Sequence, residues 1–170
     1  MSEIPIRLAE PRDAATIGRI YDEGIDSRIA TFAAGDHPAD ERRRWLAGRP
    51  ESAPVYCATD GGDDVLGWSA LAPFSHREWY AGVAEYTVYV SAGQQGRGVG
   101  SALLSHLIGV APEFGYWKLV GMILPENGPG LALARRHGFR VVGTHMGHGR
   151  IAHQWRDVTL VERHLEVSPW

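Results

Sequence analysis

The segment that most restricts what this chain can fold into is Val88-Tyr89-Val90-Ser91-Ala92-Gly93-Gln94-Gln95-Gly96-Arg97-Gly98-Val99-Gly100-Ser101-Ala102-Leu103-Leu104. An apolar, β-branched and aromatic run passes through a polar turn into a glycine-rich loop, then into an apolar pattern of helical type. The pattern predicts a strand, a loop of exposed N–H groups and a helix N-terminus. The first N–H groups of a helix have no intrahelical partner, and the helix dipole adds positive potential there, so such a junction binds anions. Gly96, Gly98 and Gly100 let the backbone approach a bulky phosphate, and Arg97 offers a charged contact. A Walker A loop needs Gly-Lys-Ser/Thr; here Ser101 follows Gly100 with no lysine, which disfavours nucleotide hydrolysis. The third glycine of a Rossmann fingerprint is out of place, and that site would open a domain rather than follow residue 90. An ordinary strand-to-helix turn is the remaining reading of the spacing.

The 170 residues suit one domain spanning residues 1–170. A net charge of −3 without any basic block argues against nucleic acid as a partner. Cys57 is the only cysteine, which excludes an intramolecular disulfide and a cysteine-rich zinc site; within Pro54-Val55-Tyr56-Cys57-Ala58 it reads as a core thiol. Met1-Ser2-Glu3-Ile4-Pro5 has no basic segment leading into an apolar one, and no apolar run approaches the ~18 residues of a membrane span. A cytoplasmic protein without membrane contact is expected.

Ile4 to Ala9 alternates as an edge-like strand, and Glu10-Pro11-Arg12-Asp13 is a helix entry. Ile17, Ile20, Tyr21 and Ile25 follow helical spacing, with a stop expected near Gly24. A second helix starts at Pro38-Ala39-Asp40-Glu41 and ends at Gly48 and Pro50. Val55–Thr59 and Val65–Ala72 form a hairpin around Asp60-Gly61-Gly62-Asp63-Asp64. Pro73 to Gly82 is an aromatic and charged loop, and Ala84–Val90 the strand leading into the glycine loop. A helix to about Val110, an apolar central strand Trp117–Leu124, a short helix Leu131–His137 and a strand Phe139–Gly143 follow. His145 to Gln154 reads as a polar loop, and Arg156–Glu166 as the last strand. The order β, α, α, β, β, β, α, β, α, β, β describes an α/β (α+β) chain built on one mixed, mostly antiparallel sheet flanked by helices.

Gln95-Gly96-Arg97-Gly98-Val99-Gly100 resembles the Gln/Arg-x-x-Gly-x-Gly/Ala motif of the Gcn5-related N-acetyltransferases (GNAT), placed after the fourth strand and opening the third helix. Ile20-Tyr21-Asp22-Glu23-Gly24-Ile25, Ala30-Thr31-Phe32, Pro73-Phe74, Ala84 to Ser91 and Trp155-Arg156-Asp157-Val158 are similar to the phosphinothricin N-acetyltransferase branch. Tyr80-Ala81-Gly82-Val83-Ala84-Glu85, Trp117-Lys118-Leu119-Val120, Pro125-Glu126-Asn127 and Val161-Glu162-Arg163 resemble the arsinothricin-resistance enzymes. The likeness runs from about residue 6 to 166.

The resemblance implies a sheet splayed between its fourth and fifth strands, with acetyl-CoA in the gap. The cofactor pyrophosphate would sit on the N–H groups of Gly96, Arg97, Gly98, Val99, Gly100 and Ser101, with Gln95 and Arg97 side chains as extra contacts. Backbone at Val88, Tyr89 and Val90 would pair with the pantetheine arm, and an N–H near Val90 would face the thioester oxygen. Asn127 would contact the cofactor or hold its loop. Acyl transfer to an amine needs a base, because an ammonium is not a nucleophile; Glu85 matches the family's glutamate, and burial would raise its pKa toward neutrality. Tyr89 and His137 are conceivable proton donors to the CoA thiolate. The substrate implied is a small amino-acid analogue (phosphinothricin, arsinothricin or methionine sulfoximine), held by Phe32, Phe74, Arg77, Tyr80, Arg150 and Trp155. The family commonly dimerises, and residues near Trp155 and Trp170 would take part.

The chain departs from the family pattern at Ser75-His76-Arg77, which keeps one arginine of an Arg-x-Arg pair, at Gly130, at Ala134 and at Ile151-Ala152-His153-Gln154. These changes leave the chemistry and put the acceptor in question: a polyamine, aminoglycoside or peptide N-terminus is the second enzyme reading, and a non-catalytic CoA sensor the third. His145, His148 and His153 lack a helical i, i+4 pair, so no metal is expected.

Overall fold

A computed structural model describes residues 4–35 and 37–166. Seven strands, β1 (Ile6–Leu8), β2 (Val55–Thr59), β3 (Val65–Pro73), β4 (Val83–Val90), β5 (Lys118–Ile123), β6 (Arg140–Ile151) and β7 (Gln154–His164), form one sheet in the order β1-β2-β3-β4-β5-β7-β6. Among the described residues four α-helices accompany them: α1 (Ala14–Asp26), α2 (Ala39–Ala47), α3 (Val99–Val110) and α4 (Gly128–Arg136). Among the described strands only β4 and β5 run parallel, and every other pair is antiparallel.

Strand alternation divides the core between the two faces of the sheet. Val55, Cys57, Trp68 and Ala70 meet Ile17 and Ile20 of α1 on one face. Tyr56, Leu71, Ala84 and Tyr86 meet Leu104 and Leu107 of α3 on the other. On β4 this sends Tyr89 toward α1 and Val88 and Val90 toward α3. Glu85 has the same parity as Tyr89 and shares its face.

β4 and β5 pair at three positions only, Val83↔Lys118, Ala84↔Leu119 and Glu85↔Val120. Beyond Glu85 they part: β4 stays on β3 to Val90, and β5 stays on β7 to Ile123. Two close approaches frame the fork. A Cβ on Gly82 would stand 1.9 Å from the Trp117 ring, and Gly82 O accepts from the Trp117 N–H at 2.8 Å, which pins the strands where they join. The Tyr86 ring fills the space that a Gly121 side chain would take, with its edge 2.6 Å from that Cβ position, and so lies against β5 where the pairing ends.

Two segments differ from the sequence expectation. α1 ends at Asp26, two residues past the stop expected near Gly24, and Gly24 makes room for Tyr89, whose ring would be 3.0 Å from a Cβ there. The segment 145–154 is not a loop. β6 runs to Ile151 and pairs with β7 through Arg150↔Trp155 and Ile151↔Gln154, with a bulge between His145 and Gly149. The hairpin turns at Ala152 and His153, both with positive φ (47° and 68°), the conformation a two-residue hairpin turn needs.

Candidate active site

The glycine loop leaves β4 at Ser91 and enters α3 through Gly98, whose φ of 87° is left-handed. No side chain caps α3. Its first turn therefore presents N–H groups of Val99, Gly100 and Ser101 to whatever lies before the helix. The Val99 side chain is buried beside Ala58 and Leu103, so Val99 offers its backbone alone. Gln95, Gly96, Arg97 and Gly98 are exposed, and Arg97 Nη1 donates to Gln94 Oε1 at 3.1 Å. The loop is moored to α1 by the Ala92 N–H, 2.8 Å from Glu23 Oε2. Ser101 Oγ lies 2.8 Å from His137 Nε2, at the C-terminal end of α4. Burial, with Arg163 and Arg136 adding to it, holds the His137 pKa below its usual value.

Under the fork lies a cavity of about 670 Å³. Glu85, Thr87, Val88 and Tyr89 of β4 and Gly121, Met122 and Ile123 of β5 line it from the two arms. The side chains of Val88 and Val90 are engaged with α3, which leaves β4 backbone to face the gap. Asn127 also lines the cavity; its Oδ1 caps α4 by accepting the Gly130 N–H at 2.9 Å. Glu85 is the last β4 residue paired to β5, and none of the described residues gives its carboxylate a hydrogen bond or an ion pair. Burial alone pushes its pKa above the ordinary carboxylate value.

The far wall is aromatic. Trp68 stacks on Tyr89 (4.9 Å between centroids), Tyr21 meets Tyr89 edge-on (5.1 Å), and Trp45 meets Trp68 edge-on (5.7 Å). Burial, helped by Tyr21, raises the Tyr89 pKa, so its phenol keeps its proton. Arg42 lies over Tyr21 and Trp45, with its guanidinium carbon 4.5 Å and 5.0 Å from the ring centres. Arg49 is spent on the backbone: Nε donates to Ala53 O at 2.6 Å, and Nη2 to Leu71 O.

Of the acceptor-side residues expected from the sequence, Phe32 lines this cavity and rests on Gly149 of β6. Phe74, Arg77 and Tyr80 lie outside its lining, in the exposed loop after β3, where Phe74 and Tyr80 contact each other edge-on at 6.4 Å. Arg150 and Trp155 also lie outside it. They stack on each other at the hairpin end (5.0 Å), and Arg150 Nη2 donates to His153 O at 3.3 Å. Sequence reasoning missed Tyr21, Arg42, Trp45 and Trp68 as wall residues. Arg42 and Trp45 share a helical face at i, i+3, which is the signal that points Arg42 inward. His145 and His148 stack at 4.5 Å on β6, and no cluster of three or more metal-ligating side chains occurs among the described residues. Nor is any described helix long and apolar enough to cross a membrane.

The Acetyltransferase (GNAT) domain family matches residues 6–160. The chain is 31% identical to a phosphinothricin N-acetyltransferase of Streptomyces coelicolor, covering 96% of this chain and 98% of that one. It is 30% identical to an L-methionine sulfoximine/L-methionine sulfone acetyltransferase of Pseudomonas aeruginosa, covering 96% and 95%. The solved structure of a GNAT-superfamily phosphinothricin acetyltransferase from Sinorhizobium meliloti in complex with acetyl-CoA superposes with a TM-score of 0.86 at 27% identity, covering 96% and 89%.

Proposed function

The chain belongs to the GNAT acetyltransferase family and is an acetyl-CoA-dependent N-acetyltransferase; from that premise we propose that it acetylates the α-amino group of a small amino-acid analogue of the phosphinothricin or methionine sulfone type, by direct transfer with Glu85 as general base. The observation that carries this reading is the unpartnered carboxylate of Glu85, set by β4 at the mouth of the fork, with its pKa raised by burial. A base working near neutral pH needs that shift.

Acetyl-CoA, when bound, supplies the activated acyl group. The uncapped start of α3 and the unpaired edge of β4 fit its anionic end and its amide-bearing arm, respectively. Glu85 takes a proton from the acceptor ammonium and leaves the amine lone pair free. A backbone N–H near Val90 stabilises the oxyanion. Of the two candidate proton donors to the departing thiolate, Tyr89 lines the cavity, while His137 lies outside its lining and is turned to Ser101.

The test is CoA release from acetyl-CoA with a panel of acceptors. Release with amino-acid analogues, and not with polyamines or peptides, is the expected result. Release only with polyamines or peptides moves the acceptor to another class, and CoA binding without turnover would make the protein a sensor.

The protein is also proposed to work as a homodimer. β6 is an edge of the sheet, and Val141, Val142, Met146 and Trp155 leave a large apolar surface exposed along β6 and β7, Met146 at 87%. Edge strands with such a surface are normally covered. Trp170, also expected to take part, lies outside the described residues. Light scattering should give twice the chain mass for the wild type and a smaller species for Met146→Asp; a wild-type monomer overturns the proposal.

A further inference from the structure

The cavity contains a cation that the expected acceptor residues do not include. Arg42 is 7% exposed, and its guanidinium carbon lies 4.5 Å and 5.0 Å from the centres of the Tyr21 and Trp45 rings. Its N–H groups lie in the guanidinium plane, and the residue lines the cavity. No described residue forms an ion pair or side-chain hydrogen bond with it, and its buried Nε has no partner. A buried cation left in this way is costly unless an anion completes it. Trp68 Nε1, in the same aromatic wall, is a second buried N–H without an acceptor.

The other arginines near the fork are already engaged or lie elsewhere. Arg49 donates to two carbonyls, Arg150 lies on Trp155, Arg156 lies outside the cavity lining and faces Glu126 at 3.5 Å although its buried Nε has no partner, and Arg77 is exposed outside the cavity. Glu85, ionised when it acts as a base, adds a negative charge inside the cavity. The inside of the cavity thus matches one anion. Of the two arginines that line the cavity, Arg49 is committed to carbonyls, so a second anion would find no further free guanidinium in the lining and would face Glu85.

We propose that Arg42 binds the carboxylate of the acceptor, and that the enzyme therefore prefers an amino acid with one anionic group and a neutral polar side chain, the methionine sulfone class, over a dianionic one such as phosphinothricin. This rests on the reading that the acceptor is an amino-acid analogue. It assigns the recognition of that acid to α2, not to the loop after β3 or to the β6–β7 hairpin.

The experiment compares L-methionine sulfone, its carboxamide and phosphinothricin as acceptors for the wild type, Arg42→Gln and Arg42→Lys. Calorimetric binding of the same compounds, with and without CoA, adds a readout independent of turnover. The wild type should favour the sulfone over the carboxamide and over phosphinothricin by about tenfold or more in kcat/KM, the worth of one charge-assisted contact. Arg42→Gln should raise the sulfone KM by about 10- to 100-fold and change the carboxamide by no more than about threefold, with Arg42→Lys between. Equal binding of sulfone and carboxamide by the wild type, a comparison that needs no variant, overturns the proposal. So does a wild type that prefers phosphinothricin, or an Arg42→Gln variant that loses kcat for acid and carboxamide alike with KM unchanged. Turnover confined to polyamines or peptides instead overturns the amino-acid reading, and this inference with it.

Discussion

Glu85→Gln is expected to lower kcat by about 10²–10⁴-fold, the usual worth of a general base. The substitution keeps the size and hydrogen-bonding shape of the side chain and removes its ability to take a proton. The glycine loop is not touched, so the KM for acetyl-CoA should stay level. The pH dependence separates loss of a base from loss of structure. Burial raises the Glu85 pKa above its ordinary 4.5, so wild-type kcat/KM should rise with pH until that raised pKa is passed, and the variant should lack this limb. Stability should move the other way. An acid whose folded pKa is raised destabilises the fold once it ionises. The penalty is absent below the unfolded value and grows as pH rises through the folded one. Glu85→Gln should therefore melt above the wild type near pH 8 and level with it near pH 4. An active variant at neutral pH would remove Glu85 from its role. An inactive variant that melts lower at every pH would assign it to the scaffold instead.

The order of elements was legible because the two faces of the sheet bury regular patterns: Val55, Cys57 and Ala70 alternate with Tyr56, Ala58 and Leu71, and α1 repeats Ile17, Ile20 and Tyr21. The fork was not legible from periodicity. It depends on Gly82 meeting Trp117 and on Gly121 meeting Tyr86, contacts between residues far apart in sequence, and its expectation came only from family resemblance. Gly24 misled because a glycine near a helix end resembles a stop, whereas here it accommodates Tyr89 from a distant strand. The second half of β6 was missed for a different reason. Most of its side chains are exposed, so there is no inside–outside alternation to read, and its turn uses Ala152 and His153 where a glycine or asparagine would have announced a hairpin. Of the candidate site, the anion loop was readable from local spacing, whereas Glu85 was singled out by family resemblance. Arg42 was hidden within Glu41-Arg42-Arg43-Arg44-Trp45, a charged run whose exposed Arg43 and Arg44 have the same residue type as its buried member.

Gly98→Asp is expected to raise the Kd and KM for acetyl-CoA by about 100-fold or more, on the order of 3 kcal/mol, from the loss of one or two hydrogen bonds to a charged group and repulsion of the pyrophosphate. Gly98 is the N-cap of α3, and the N–H groups of Val99, Gly100 and Ser101 follow it without a side-chain cap. An aspartate there brings its own carboxylate to that terminus, so the protein would supply internally the anion that the helix start is open to receive. The cost to the fold should be small. Aspartate tolerates the left-handed φ of 87° at a cost of about 1 kcal/mol, and an anion at a helix N-terminus offsets part of it. Nothing stands within 4 Å of a Cβ at this position. The melting temperature should therefore fall by no more than roughly 2–4 °C, the shift expected for about 1 kcal/mol in a chain of this size. The acceptor KM at saturating acetyl-CoA should be unchanged, because the aromatic wall and Glu85 lie beyond the loop along β4. Gly98→Asn is the control: it makes a similar demand on the backbone without the charge and should weaken acetyl-CoA by about tenfold less than aspartate does. If the two variants lose the same affinity, the loss comes from backbone strain, and the start of α3 is not where the cofactor's negative charge is held.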